Sequence, residues 1–195
     1  MIEIQQFESK LKEFTNSETI VRPFLCNGFP FDNEIFLVGI NPATKINFWD
    51  FWSNENGCNK EGWLNEYRKQ NGKIGPTRKR IEIFLNQAKK LKILETNIYP
   101  FYSPRFKDLK QEHKNPELFK YLIDTIKPKL IIGFGNPVIK FLSNHYSTNT
   151  QKNIYHKVNS VNWDLEIRYE NHFSYQWSDS GIKKLSKEIE NKYSK

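Results

Sequence analysis

Two short runs, Glu34 to Val38 and Lys129 to Phe134, do most to limit what this chain can become, because their bulky apolar residues follow one another instead of alternating with polar ones. An alternating run buries one face of a sheet, whereas a continuous run of this length reads as a strand buried on both. Such strands belong to a mostly parallel sheet covered by helices, and the rest of the chain supplies the helices. Ile4, Phe7, Leu11 and Phe14 share one helical face, as do Ile81, Phe84, Leu85, Ala88 and Leu91 after Pro76. The same spacing recurs in Leu118, Phe119, Leu122, Ile123 and Ile126 after Asn115-Pro116, and in Val138, Ile139, Phe141 and Leu142 after Asn136-Pro137. Ile182, Leu185 and Ile189 mark a last helix, while Ile93 to Ile98 and Leu165 to Tyr169 read as two further strands. This order predicts a single α/β domain: a three-layer sandwich with a central, mostly parallel four-stranded sheet flanked by helices.

Three of the strands lead into a polar residue. The first stops at Gly39-Ile40-Asn41-Pro42, the second ends at Asn97, and the last precedes His172. Ligands of open α/β sheets bind beyond the carboxyl ends of the strands, so parallel topology would bring Asn41, Asn97 and His172 to one edge. Plainer readings stand beside this one: an Asn-Pro turn at Asn41, a turn asparagine before Tyr99-Pro100, and a satisfied loop histidine. His113, His145 and His156 have no comparable setting. Between Ile46 and Gly75 lies a long aromatic and polar segment without clear periodicity, read as an insertion with some helix in it; segments of that length are usually functional.

The chain has 195 residues, enough to bury a core without disulfides or a metal, and its formal net charge of +8 suits a polyanionic partner such as nucleic acid. Lysines at helical spacing can also do no more than solvate a face. Aromatic clusters in expected loops favour the first reading: Phe48-Trp49-Asp50-Phe51-Trp52, Tyr99-Pro100-Phe101-Tyr102 and His172-Phe173-Ser174-Tyr175-Gln176-Trp177 suit base stacking. A mean hydropathy of −0.72, with no apolar run near the ~20 residues of a spanning helix, argues against a membrane protein. Met1 to Gln6 lacks the basic and apolar regions of a signal peptide, so the cytoplasm is the expected location. Cys26 and Cys58 are too few for a cysteine-only zinc or iron–sulfur site and read as ordinary residues. Gly133-Phe134-Gly135 lacks the third glycine of a dinucleotide fingerprint, and no phosphate-loop lysine string occurs. No cofactor, metal or membrane is expected, and DNA is the expected partner of a monomeric protein.

In chain order, several strings resemble the motifs of the uracil-DNA glycosylase superfamily. Gly39-Ile40-Asn41-Pro42 is similar to its first active-site motif in the asparagine form of the mismatch-specific uracil and thymine glycosylases, and Phe48-Trp49 to the aromatic pair that follows. Thr96-Asn97-Ile98-Tyr99-Pro100 resembles a Thr-Asn string of other branches. Lys129 to Gly135 resembles the penultimate core strand with its glycine turn, and His172-Phe173-Ser174 a His-Pro-Ser motif whose proline is replaced. The resemblance implies a uracil-DNA glycosylase-like fold and hydrolysis of an N-glycosidic bond after a base is flipped from DNA. Asn41 would position the attacking water, and His172 would support the departing base oxygen. Asn97 would read the base, with Phe48 or Trp49 stacking on it and Gly39, Ile40, Pro42 and Ser174 completing the pocket. Tyr175, Gln176 and Trp177 would meet the duplex as wedge residues, and Lys183 and Lys184 its phosphates. Asp50 is the nearest carboxylate, although no motif places it.

The missing proline at Phe173 and the crowded aromatics point to a pocket reshaped for something other than plain uracil, such as a bulky modified base of phage DNA, which would make the role defence rather than repair. Two other classes compete: a glycosylase-like module that binds modified or single-stranded DNA without cutting it, and an enzyme acting on free nucleosides.

Overall fold

A computed structural model describes residues 3–15 and 20–194. Among them the helices are α1 (Ile4–Thr15), α2 (Lys60–Asn71), α3 (Pro76–Gln87), α4 (Glu117–Ile126), α5 (Asn136–Tyr146) and α6 (Asp179–Tyr193). The strands are β1 (Phe24–Leu25), β2 (Asn27–Gly28), β3 (Ile35–Gly39), β4 (Trp52–Ser53), β5 (Gly57–Asn59), β6 (Ile93–Asn97), β7 (Leu130–Phe134), β8 (Tyr155–Val158) and β9 (Leu165–Glu170).

The main sheet has six strands in the order β1-β6-β3-β7-β9-β8. Its inner four, β6, β3, β7 and β9, run parallel and are the four strands expected from the sequence. The expected width was too small: β1 and β8 add antiparallel edges. Neither edge carries a local signal, since β1 is two residues long and β8 pairs through its backbone with only two of its four residues buried. A separate antiparallel sheet, β2-β5-β4, forms partly from the segment read as an insertion.

Alternate strand residues feed two clusters on opposite faces of the main sheet. Phe36 and Val38 pack with Phe7 of α1, Leu122 of α4 and Leu142 of α5, whereas Ile35 and Leu37 pack with Phe84 of α3 and Ile182 of α6. This double burial is why β3 and β7 read as continuous apolar runs, each large side chain contributing about 1.5–3 kcal/mol. α4 begins just after the expected Asn115-Pro116 pair, with Asn115 Oδ1 accepting from Glu117 N at 2.9 Å, and α6 is capped by Ser178, whose Oγ accepts from Gly181 N at 3.0 Å. No described helix is long and apolar enough to cross a membrane.

Candidate active site

The loops after β3 and β6 stay zipped together beyond the strands. Ile98 N donates to Gly39 O, Tyr99 N to Ile40 O and Ser103 N to Pro42 O, each at 3.0 Å. Asn41 sits inside this zipped turn, and its Nδ2 donates to Ser103 O at 2.8 Å and to Pro42 O at 3.1 Å. Both partners are carbonyl oxygens, which can only accept, so the amide orientation is fixed and Oδ1 is the atom left over. Pro42 itself is buried and holds the turn; it does not reach the cavity described below.

Asn97 ends β6, next to Gly39 in register, and is 3% exposed. Its Nδ2 has no hydrogen-bond partner among the described residues. A buried donor left unpaired costs about 1–3 kcal/mol until a ligand or water takes it. Gly39 makes room for this side chain, because a Cβ there would lie 3.0 Å from Asn97 Oδ1 and 3.2 Å from Phe134 Cζ.

His172 follows β9. Its ring meets Phe134 edge-on at 5.7 Å and rests over Gly135, where a Cβ would lie 3.1 Å from His172 Cδ2. The loop is anchored by Phe173, fully buried and stacked on Phe134 at 4.8 Å. Gln176 Oε1 accepts from His172 N at 3.0 Å, and Trp177 Nε1 donates to Asn171 O at 3.2 Å. Burial pushes the imidazole below its ordinary pKa, so the ring is neutral near pH 7 and offers one donor and one acceptor.

These three side chains share a cavity of about 570 Å³, a volume typical of small-molecule sites. Gly39 lines it from the end of β3, Ile40 and Asn41 from the turn that follows, Asn97 from the end of β6 and His172 from the loop after β9. Tyr67, Asn71 and Gly75 close one side, so the segment read as an insertion does contribute a wall. A second cavity of about 330 Å³ lies at the start of β6 beside Cys26 and holds none of the three.

Several expected site residues lie elsewhere. Phe48 is completely buried, edge-on to Phe24 at 5.0 Å and stacked with Trp52 at 6.0 Å, so it cannot receive a base. Trp49 packs beside it under Lys12, 5.3 Å from the ammonium to the ring centre, and also misses the cavity. Both belong to a short helical turn that folds onto α1 and β1. The rings that do line the cavity are Tyr67, Phe106 and Phe134. Asp50 is exposed and accepts from Asn47 Nδ2 at 2.9 Å; among the described residues no Asp or Glu lines the cavity. Ser174 is half-buried in the loop and does not line the cavity. Trp177 turns inward against Phe173 and Gln176 serves as the loop's staple, leaving Tyr175, at 85% exposed, as the one aromatic of that trio offered to a partner. Lys183 and Lys184 are exposed on α6, but the helix start ahead of them is capped by Ser178 and carries Asp179, paired with Lys79 at 2.6 Å.

Sequence reasoning missed a charged network behind the cavity, of which Arg78 reaches the wall. Glu95, 5% exposed, lies in β6 and pairs with Lys60 and with Arg78, each at 2.7 Å; Arg78 also reaches Glu82 at 2.9 Å. Burial opposes ionisation of Glu95, yet Arg78 and Lys60 outweigh it and hold the carboxyl at about 2. A glutamate in the middle of a central strand was the available signal, since a charge there must be paired.

No protein-family model and no curated protein matches this chain.

Proposed function

We propose that the protein is a DNA glycosylase with a uracil-DNA glycosylase-like fold, which takes a flipped pyrimidine nucleotide into the cavity and hydrolyses its N-glycosidic bond. The observation that carries this reading is the convergence of Asn41, Asn97 and His172 on one cavity, each with an unused polar atom suited to a distinct task. Asn41 Oδ1 accepts a hydrogen from a water and aims its oxygen at the sugar C1′. The C1′–N bond breaks with its electron pair passing to the base, and the water oxygen bonds to C1′ as its proton leaves to solvent. The neutral His172 ring donates to the base oxygen on which negative charge develops, and Asn97 Nδ2 donates to an acceptor on the base edge. An amide orients water but is a poor base, so the reading carries modest turnover with it.

Base release from oligonucleotides bearing uracil, mismatched thymine or a modified cytosine tests it. Release that Asn41→Ala and His172→Ala both suppress supports the glycosylase; no release from any substrate overturns it. One observation favours a second reading, a module that binds DNA without cutting it: among the described residues no carboxylate lines the cavity. Tight, salt-sensitive DNA binding that survives Asn41→Ala, with no base release by the parent protein, would support that alternative.

A further inference from the structure

The charged side chains on the cavity wall are unbalanced: Arg22, Arg78 and Arg105 line it, without a carboxylate among the described residues. Arg105 is exposed at the mouth and paired with Asp108 at 2.6 Å. Arg22 and Arg78 lie deeper, both against the Trp63 ring, at 5.3 and 5.0 Å from guanidinium carbon to ring centre. Trp63 is 1% exposed, so it holds the two cations in fixed positions. Around them, Arg22, Lys60 and Arg78 face two carboxylates, Glu82 and Glu95, and every ion pair in the group is made by Lys60 or Arg78. Arg22 has neither an ion pair nor a side-chain hydrogen bond among the described residues. Burial and the neighbouring Arg78 charge lower its pKa to about 10, so it remains a cation near pH 7. Its backbone N donates to Pro100 O at 2.8 Å, which pins it at the same sheet edge as Asn97.

We propose that Arg22 and Arg78 form an oxyanion-binding subsite within the cavity, holding a phosphate or carboxylate carried by the ligand. A guanidinium presents several donors in a plane that matches such groups, and a cation already fixed and partly desolvated loses little freedom on binding. The subsite stands on geometry alone. Its ligand rests on the glycosylase reading, under which the oxyanion is either a backbone phosphate beside the flipped nucleotide or an acidic substituent on the base.

Inorganic phosphate is the first probe. At constant ionic strength, it should raise the melting temperature of the wild-type protein saturably. Arg22→Gln should weaken that response about tenfold, as expected for losing hydrogen bonds to a charged group, with Arg22→Lys in between. Lys157→Gln, exposed on β8 and outside the cavity, should leave it unchanged. Absence of a saturable phosphate effect on the wild type, or an equal response in Arg22→Gln, overturns the subsite; if Arg22→Gln does not fold, Arg22→Lys carries the comparison, and an undiminished response there overturns it.

Duplexes then identify the source. An Arg22→Gln binding penalty abolished by a methylphosphonate linkage beside the target nucleotide assigns a backbone phosphate. A penalty seen only with a carboxyl-bearing pyrimidine assigns the base substituent. A phosphate response with no penalty on any duplex keeps the subsite and overturns the nucleic-acid reading of the cavity.

Discussion

Asn41 illustrates how much a single side chain's partners decide. Because Ser103 O and Pro42 O accept from Nδ2, replacement by aspartate would set a carboxylate against two carbonyl oxygens. Asn41→Asp is therefore expected to lower the melting temperature in a thermal scan and not simply to install a stronger base. On the proposed glycosylase reading, Asn41→Ala should reduce kcat for base release by about a hundredfold while DNA affinity is retained, the size expected when a reacting group loses its alignment. His172 adds a pH dependence. Its depressed pKa keeps the ring neutral at neutral pH, so base release should hold level there and fall in acid as the ring takes up a proton. Stability shifts in the same direction, because the unfolded chain binds that proton at higher pH than the folded one. A rate profile in which His172→Gln removes the acid limb would support the assignment; an unchanged limb would count against it. The positions of Asn41, Asn97 and His172 were legible because each follows a strand that its own apolar residues announce. The amide orientation was not, since its acceptor Ser103 O lies 62 residues away.

At the scale of elements, the junction of β7 with α5 sets the place of the histidine. Gly135 has φ +91° and lies directly under the His172 ring. Gly135→Ala should cost about 1 kcal/mol or more from backbone conformation alone and also push the ring off its seat. Denaturant unfolding should report the first effect. A fall in kcat larger than the stability loss explains would report the second. The segment from Ile46 to Gly75 shows the limit of reading elements locally. Its aromatic residues look alike in sequence, yet Phe48 and Trp63 enter the core whereas Tyr67 faces the cavity. Nothing in the local pattern separates them, because their exposure depends on which neighbours fold over them.

Across the whole molecule, the Glu95 network ties the sheet to α2 and α3. Its carboxyl, held at about 2 against an unfolded value near 4.5, contributes stability that is present above pH 4.5 and lost as the pH falls toward 2. Glu95→Gln should destabilise the fold by about 3 kcal/mol, because it removes the more buried of the two carboxylates that Lys60 and Arg78 share and leaves them Glu82 alone. Urea titrations at pH 7 and pH 3 would check both expectations: the variant should be the weaker at pH 7, and the gap should narrow at pH 3. With a net charge of +8, the duplex binding that the proposed function requires should also weaken steeply as salt rises. By itself the sequence determined the inner parallel strands, the main helices and the sheet edge at which Asn41, Asn97 and His172 meet, since apolar continuity and helical spacing are local properties that burial enforces residue by residue. Only the tertiary structure decided that the sheet has six strands, that Phe48 and Trp49 leave the site, and that Arg22 and Arg78 enter it. Edge pairing runs through backbone groups common to every residue, and the fate of an aromatic ring or a charge depends on partners that folding brings from far along the chain.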